Sequence, residues 1–354
     1  MPLLKVMTPG ASSIQGLGYY GAQRYGLAPG GAMDRLSLAE ANALTGLSAG
    51  AAAIEVGPLP ARFALSGETV RIAVTGAARD VLVDEVPLRL GVTALVRDGQ
   101  ILTMRGARGG QYSYVSIEGG LQQAGDAGEA AVKSRAGADP RSWVLSAGDA
   151  IPCKAAGSAQ GERQLQLHTR STSPVRVVLG PQIEYFSEEE TARFLATPWI
   201  VSHASNRMAY VLEGGRVALA KGHNIVSDGT VTGNIQIAGN GQPIVILCDR
   251  GTIGGYPKIA TVISADIGRL AQVTQGGRVH FDAISVLEAQ VVARDFAERL
   301  ANIKPRVGSA DATPAAQPTA AALLASNVAG EVFNPMDGMP EATGLQASEH
   351  RGTS

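Results

Sequence analysis

With 354 residues, a formal net charge of -1 and 17% charged residues, the chain is long enough for two domains with separate cores. It lacks the basic excess that would mark nucleic acid or an anionic membrane surface as a partner. No apolar run reaches the roughly 18 residues that cross a bilayer, and residues 1–10 have neither the basic start nor the apolar stretch of a signal peptide, so a cytoplasmic location is expected.

The 44 glycines and 18 prolines, set against 5% aromatic residues, punctuate the chain as many short strands joined by turns would. Cys153 and Cys248 lie far apart and read as small core residues. The five histidines show no ligand spacing, so no metal site is expected.

In chain order, Ser12, Ser13 and Gln15 follow a Pro9-Gly10 turn, and the stretch from Pro29 through Gly30 and Gly31 to Asp34 runs straight into a helical pattern. Asp34 can cap a helix through Leu36, Ala39 and Ala43 that stops near Gly46. A Gly30-Gly31 turn feeding a helix start would also leave N–H groups for an anionic or carbonyl oxygen, and both readings stand. Strands are expected at 61–65, 70–74, 100–104 and 111–117, where period-two alternation is bounded by Gly or Pro. The join between halves is placed between Ala155 and Thr172.

Beyond it, a strand is expected at 175–179, followed by a turn carrying Gln182. Ser187 with Glu190 then forms a capping-box pattern before Phe194. Ser205, Asn206 and Arg207 fall on a turn, where Arg207 offers a planar fork to a carboxylate or phosphate, or a surface ion pair. Residues 211–219 read as a hairpin through Gly214 and Gly215. In the strand 234–238, Asn234 and Gln236 share one face, an amide pair suited to a ligand's N–H and C=O or to neighbouring backbone. Residues 243–248 form a continuous apolar run, read as a buried strand.

The segment 249–272 carries the densest chemistry. Gly251, Gly254 and Gly255 permit positive φ or close approach, and Pro257 stiffens the exit, so that Tyr256 and Lys258 stand at a rigid corner, with Asp266 and Gln272 further on. A last helix is expected from Ser285, with Ala289, Val292, Phe296 and Leu300 along one face. After Ile303 the Ala, Pro, Thr and Gln content reads as a linker; a short apolar piece follows at 323–328. No G-x-S-x-G elbow, P-loop or dinucleotide fingerprint is present.

Taken in order, several blocks carry a resemblance: Gly-Gly-Ala-Met-Asp at 30–34, Ala-Ile-Glu-Val-Gly at 53–57, Gly-Pro-Gln at 180–182, Ser-Asn-Arg-Met at 205–208, Gly-Asn-Ile-Gln at 233–236 and Thr-Ile-Gly-Gly-Tyr-Pro-Lys-Ile at 252–259. The chain resembles the Kip-antagonist family over roughly residues 3 to 300. This is the family of the 5-oxoprolinase C subunit, also called allophanate hydrolase subunit 2, and of the second half of the urea carboxylase carboxyltransferase domain. The resemblance implies a mainly β fold of two tandem cyclophilin-like β-barrel subdomains with a few short helices: 1–165 (subdomain C/D type) and 166–303, with 304–354 as linker and tail.

It also implies a Kip-inhibitor-like partner, the B subunit, with a LamB/YcsF-like A subunit, in an ATP- and magnesium-dependent complex that hydrolyses 5-oxoproline to glutamate. The alternatives are a carboxyltransferase using biotin carried by a partner, or a non-catalytic module that sequesters the Kip-inhibitor-like partner. In the enzyme reading Lys258, Asp266, Tyr256 and Arg207 are catalytic, with Asp266 holding Lys258. Gln182, Ser205, Asn206, Asn234, Gln236, Gln272, Gly30, Gly31 and Asp34 bind the amide. Two stretches depart from the family pattern: Gly16-Leu17-Gly18-Tyr19 stands where Asp-Leu-Gly-Arg is usual, and residues 129–143 replace a Gly-Ser-x-Ser-Thr stretch.

Overall fold

The computed structural model describes residues 1–21, 23–121, 143–155, 161–222 and 224–310. The apolar piece at 323–328, most of the altered stretch 129–143 and the tail from 311 lie outside the described residues. The fold is mainly β, with four α-helices among the described residues: α1 (Arg35–Leu44), α2 (Glu188–Ala196), α3 (Ile267–Ala271) and α4 (Val286–Ala301).

Two six-stranded sheets build the first barrel. One runs in the order Ala150–Pro152, Leu3–Thr8, Ala61–Ser66, Ile101–Met104, Val81–Val83 and Val86–Pro87. The other runs Trp143–Val144, Ser12–Gln15, Ala53–Val56, Gly109–Ile117, Val70–Ala78 and Thr93–Val96. The strand Ala61–Ser66 alternates buried and open residues, and its Ala61, Phe63 and Leu65 join Val6, Ile72, Leu102 and Val115 in one core between the sheets.

The second barrel is a single eight-stranded sheet, in the order Arg278–Val279, Trp199–Val201, Ala209–Glu213, Pro243–Ile246, Asn234–Ile237, Lys258–Val262, Val175–Leu179 and Phe281–Ala283. Its two edge strands are separated in sequence by His280 alone, and the His280 carbonyl accepts from the Val175 N–H at 2.7 Å. The sheet therefore nearly closes on itself. Inside it, Phe194 and Phe281 stack, and the Trp199 indole N–H donates to the Phe194 carbonyl at 2.9 Å.

Helix α1 joins the halves. Nine of its ten residues are buried, which fits a helix rich in Ala and Leu on every side. Leu38 and Ala41 enter the core of the second barrel, while Leu36, Ala39 and Leu44 pack with Ala73, Leu165 and Ile303. Asp34 caps it as expected, accepting from the Ser37 N–H at 3.1 Å and the Ser37 hydroxyl at 2.7 Å. The cap at Ser285 is a complete box with Glu288. At Ser187 only half the box forms, because the Glu190 carboxylate is taken by Arg193 and the Ala218 N–H.

Two expectations are corrected. The strand Ala209–Glu213 ends before Gly214, and no hairpin forms through Gly214 and Gly215: at a φ of 127° Gly214 turns the chain away, and Val217 donates instead to Gly241. Pairing also continues past residue 303, since Gly308–Ser309 pairs antiparallel with Arg163–Gln164.

Gln272 closes the junction. Its Oε1 accepts from the N–H groups of Gln111 and Tyr112 at 2.8 and 3.0 Å, and its Nε2 donates to Asp34 and to the Tyr112 carbonyl at 2.9 and 2.8 Å. Every hydrogen-bonding position of this buried amide is occupied by the protein. Replacing Gln272 with Ala strands the buried backbone groups and is expected to lower unfolding free energy by roughly 2–4 kcal/mol, read as a shifted urea midpoint at unchanged slope.

Candidate active site

The turn before α1 offers no open donors. Gly30 donates to the Cys248 carbonyl (3.1 Å), Gly31 to Gln15 (3.2 Å), Ala32 to the Gly16 carbonyl (2.8 Å), Met33 to Glu55 (2.9 Å) and Asp34 to the Tyr114 hydroxyl (2.7 Å). The expectation that this turn leaves N–H groups for an oxygen ligand is therefore corrected, and Gly31 and Asp34 are engaged by the protein itself. Gly31, at a φ of +92°, is required because a Cβ would press on the backbone of Leu17 and Gly18.

Arg207 is likewise fully engaged. It grips Asp249 through Nε and Nη2 at 2.7 and 2.9 Å, donates to the Gly31 carbonyl at 2.8 Å and pairs with Glu55. Burial pushes the Glu55 carboxyl above its usual range, against the pull of Arg207. Burial pulls Arg207 down, yet Glu55 and Asp249 together hold its guanidinium well above the usual arginine value. This half-buried group bolts the two barrels together, and the fork spends its donors on protein acceptors. Sequence reasoning misses Glu55, although a signal is there: it is an acid in the middle of a fully buried four-residue strand.

A second group does come together. Lys258, the first residue of its strand, has a side chain only 2% exposed, yet its Nζ reaches a 53% exposed Asp228 at 2.8 Å. The lysine hydrogen bond and the Gly229 N–H hold the Asp228 carboxyl below its usual range. Gln182 accepts from the Lys258 N–H at 3.3 Å, and Gln236 lies opposite Lys258 in the strand register. The Gln236 Nε2 is buried and has no hydrogen-bond partner among the described residues. Gly180 and Gly254 permit the close packing, since a Cβ at Gly180 would strike the Lys258 carbonyl and one at Gly254 the Gln236 amide. None of Gly251, Gly254 and Gly255 has positive φ, so close approach, not turn geometry, explains Gly254. Tyr256, two residues before Lys258, is half-open to solvent.

The remaining residues lie elsewhere. Asp266 does not hold Lys258, which corrects that expectation; it sits beyond the far end of the strand Lys258–Val262 and binds Arg176 (2.7 Å) and Arg269 (2.9 Å). Ser205 exchanges hydrogen bonds with the Val211 backbone, and Asn206 accepts from the Met208 and Ala209 N–H groups, so both shape their own turn. Asn234 accepts from the Val231 N–H and donates to Thr261. Gln272 is the clasp already described. A cavity of about 530 Å³ has Gly30, Met33 and Arg250 in its lining together with residues of α4. Of the sequence-proposed residues only Gly30 reaches it. Cys248 opens into it as a neutral thiol, pushed up to about 11 by burial.

A model of the carboxyltransferase domain, subdomain A and B, matches residues 25–283. The chain belongs to this family. The match to subdomain A and B replaces the C/D type implied for residues 1–165. Within the family, the chain is 32% identical to the 5-oxoprolinase C subunit of Escherichia coli (strain K12) over 301 residues, 83% of this chain and 95% of that protein. It is 33% identical to the 5-oxoprolinase C subunit of Haemophilus influenzae over 289 residues, 80% and 91% of the two chains. Among solved structures, the urea amidolyase of K. lactis matches with a TM-score of 0.75 at 25% identity, covering 85% of this chain. The chain spans about a fifth of that enzyme's length, 20%. Among the described residues, no helix is long and apolar enough to cross a membrane.

The place of Asp266 in this family fold is testable. Burial raises its pKa, but Arg176 and Arg269 more than offset that and leave it below the usual 3.8. A depressed folded pKa means stabilisation that is present above 3.8 and lost as pH falls through the folded value. Asp266→Asn is expected to cost about 2 kcal/mol at pH 7, allowing for the partly open Arg176. The gap to the parent protein should narrow below pH 3.8, as followed by thermal denaturation across pH.

Proposed function

We propose that the chain is the C subunit of an ATP-dependent 5-oxoprolinase-like complex that opens a cyclic amide, 5-oxoproline, to glutamate in the cytoplasm. The observation that carries this reading is coverage: the match extends over 95% of the Escherichia coli relative, against 17–23% of the urea carboxylase and urea amidolyase relatives. The match thus takes in nearly the whole of that relative and under a quarter of each of the longer ones. The same assignment makes a Kip-inhibitor-like protein and a LamB/YcsF-like protein its partners.

The chemistry is supported by the Lys258 group. Opening a lactam requires weakening the resonance between nitrogen and carbonyl, and donors fixed at the carbonyl oxygen in a water-poor site do this at little reorganisation cost. Lys258 brings a charge and Gln236 a spare N–H pair to one end of the barrel. The exposed Asp228 is a weak anchor that a carbonyl or phosphoryl oxygen can displace. Tyr256 and Gln182 border the same end and would orient the amide. ATP, with magnesium, would be used by the complex: phosphoryl transfer to the lactam oxygen, with ADP leaving, would open the carbonyl carbon to water, the ring C–N bond would break as the nitrogen takes a proton, and hydrolysis of the resulting acyl phosphate would release phosphate and glutamate.

The fold shared with K. lactis urea amidolyase supports a second reading, carboxyl transfer from biotin carried by a partner to urea or a related amide. The proteins that favour it are far longer than this chain, which ranks it second.

The test is turnover by the chain co-purified with its Kip-inhibitor-like and LamB/YcsF-like partners. We expect ATP-dependent release of glutamate from 5-oxoproline, and Lys258→Ala should lower kcat by about 100-fold while the complex stays intact. An intact complex that opens no ring with ATP, and instead consumes urea with a biotin carrier, overturns the oxoprolinase reading.

A further inference from the structure

We infer that the cavity beneath α4 is a binding site for a small organic anion, a carboxylate or phosphate carried on an apolar body, with Arg250 as its anchor. This inference concerns a place other than the Lys258 group and does not rest on the oxoprolinase reading.

The argument starts from an unbalanced charge. Arg250 is 4% exposed, and a buried guanidinium is costly unless a carboxylate or several acceptors meet it. Its hydrogen bond within the protein is a long one from Nη1 to the Gly251 carbonyl, 3.4 Å. Its Nε is buried without a partner among the described residues. Burial pulls its pKa below the usual arginine value, and the groups that oppose this are Cys248 and Tyr20, neither of them a carboxylate. Arg207 makes the contrast: more open, with 18% of its side chain exposed, it is nevertheless met by two carboxylates. Arg250 thus has the solvation cost of a buried cation and lacks the compensation that its neighbour receives.

The cavity supplies the rest of the recognition. Its volume of about 530 Å³ falls in the range of small-molecule sites. Its lining contains Arg35 as well as Arg250 and, among the described residues, no Asp or Glu. Arg35 donates from Nη2 to the Leu17 carbonyl and to the Tyr20 hydroxyl, neither of them an acid, so it adds positive potential. The lining is otherwise uncharged and largely apolar, with Ile263 and Ile267 and with Ala293 and Phe296 of α4. Two cations in a largely apolar lining without an acid select an amphiphilic anion over a neutral or cationic analogue. Cys248 stays a neutral thiol there, so the site binds and has no thiolate for covalent chemistry.

Calorimetric titration of the full chain with octanoate, octyl phosphate and octanol tests this. Both anions should bind, the tighter one distinguishing a carboxylate from a phosphate site, and octanol should bind at least about ten-fold more weakly, the factor expected for one charge-assisted hydrogen bond. Arg250→Gln should erase the preference for anions. Ala293→Phe, which fills the cavity from α4 and leaves both arginines in place, should abolish binding of all three while circular dichroism stays unchanged. Equal affinity for octanol and octanoate, or anion binding that survives Ala293→Phe, overturns the inference, and the second result does so even if Arg250→Gln fails to fold.

Discussion

Gln272, at the end of α3, reaches 238 residues back along the chain to Asp34, and Arg207 reaches 152 residues back to Glu55. These two buried polar contacts fix how the barrels meet. Each is set among apolar side chains that would tolerate many relative placements, because hydrophobic contact is non-directional. The amide and the guanidinium are directional, and leaving their partners unpaired in a dry junction is costly. Once they are satisfied, the Gly30 to Asp34 turn, the start of α1 and the loop carrying Asp249 are all held in place.

The same constraint explains why so many polar residues in this chain serve structure. Asp34, Arg207, Ser205, Asn206, Asn234 and Gln272 have the side chains of a ligand site, yet each is engaged by backbone or by another side chain. What distinguishes Lys258, Gln236 and Arg250 is incompleteness. Lys258 has an exposed, displaceable partner; Gln236 and Arg250 hold buried nitrogens with none among the described residues. In a close-packed interior, an unsatisfied polar atom is better grounds for a binding role than its chemical type.

Much of the fold is legible in the sequence because its determinants are local. The strand Val175–Leu179 matches its sequence pattern residue for residue, and the caps at Asp34, Ser187 and Ser285 announce three of the four helices. Local chemistry fails where a distant contact decides the outcome. Gly214 and Gly215 look like a hairpin turn, but the following chain finds its partner at Gly241. The candidate site is legible in part: Gln182, Gln236 and Lys258 do converge. Asp266 escapes because its partner Arg176 lies 90 residues away on another strand. Asp228, the true partner of Lys258, stands on a two-residue strand too short for any periodicity to show. Arg250 is invisible as a site because burial without a counter-charge is a property of the folded molecule alone.

The near-closure of the eight-stranded sheet at His280 bears on how this molecule meets other polypeptides. A sheet whose margins nearly join leaves little of the row of unpaired amides and carbonyls that acts as a template, which narrows both a route to fibrous self-association and the simplest mode of docking, addition of a foreign strand. Near-closure thus favours recognition at that barrel through side chains and loops, where specificity can be adjusted without disturbing the hydrogen-bonded wall behind it.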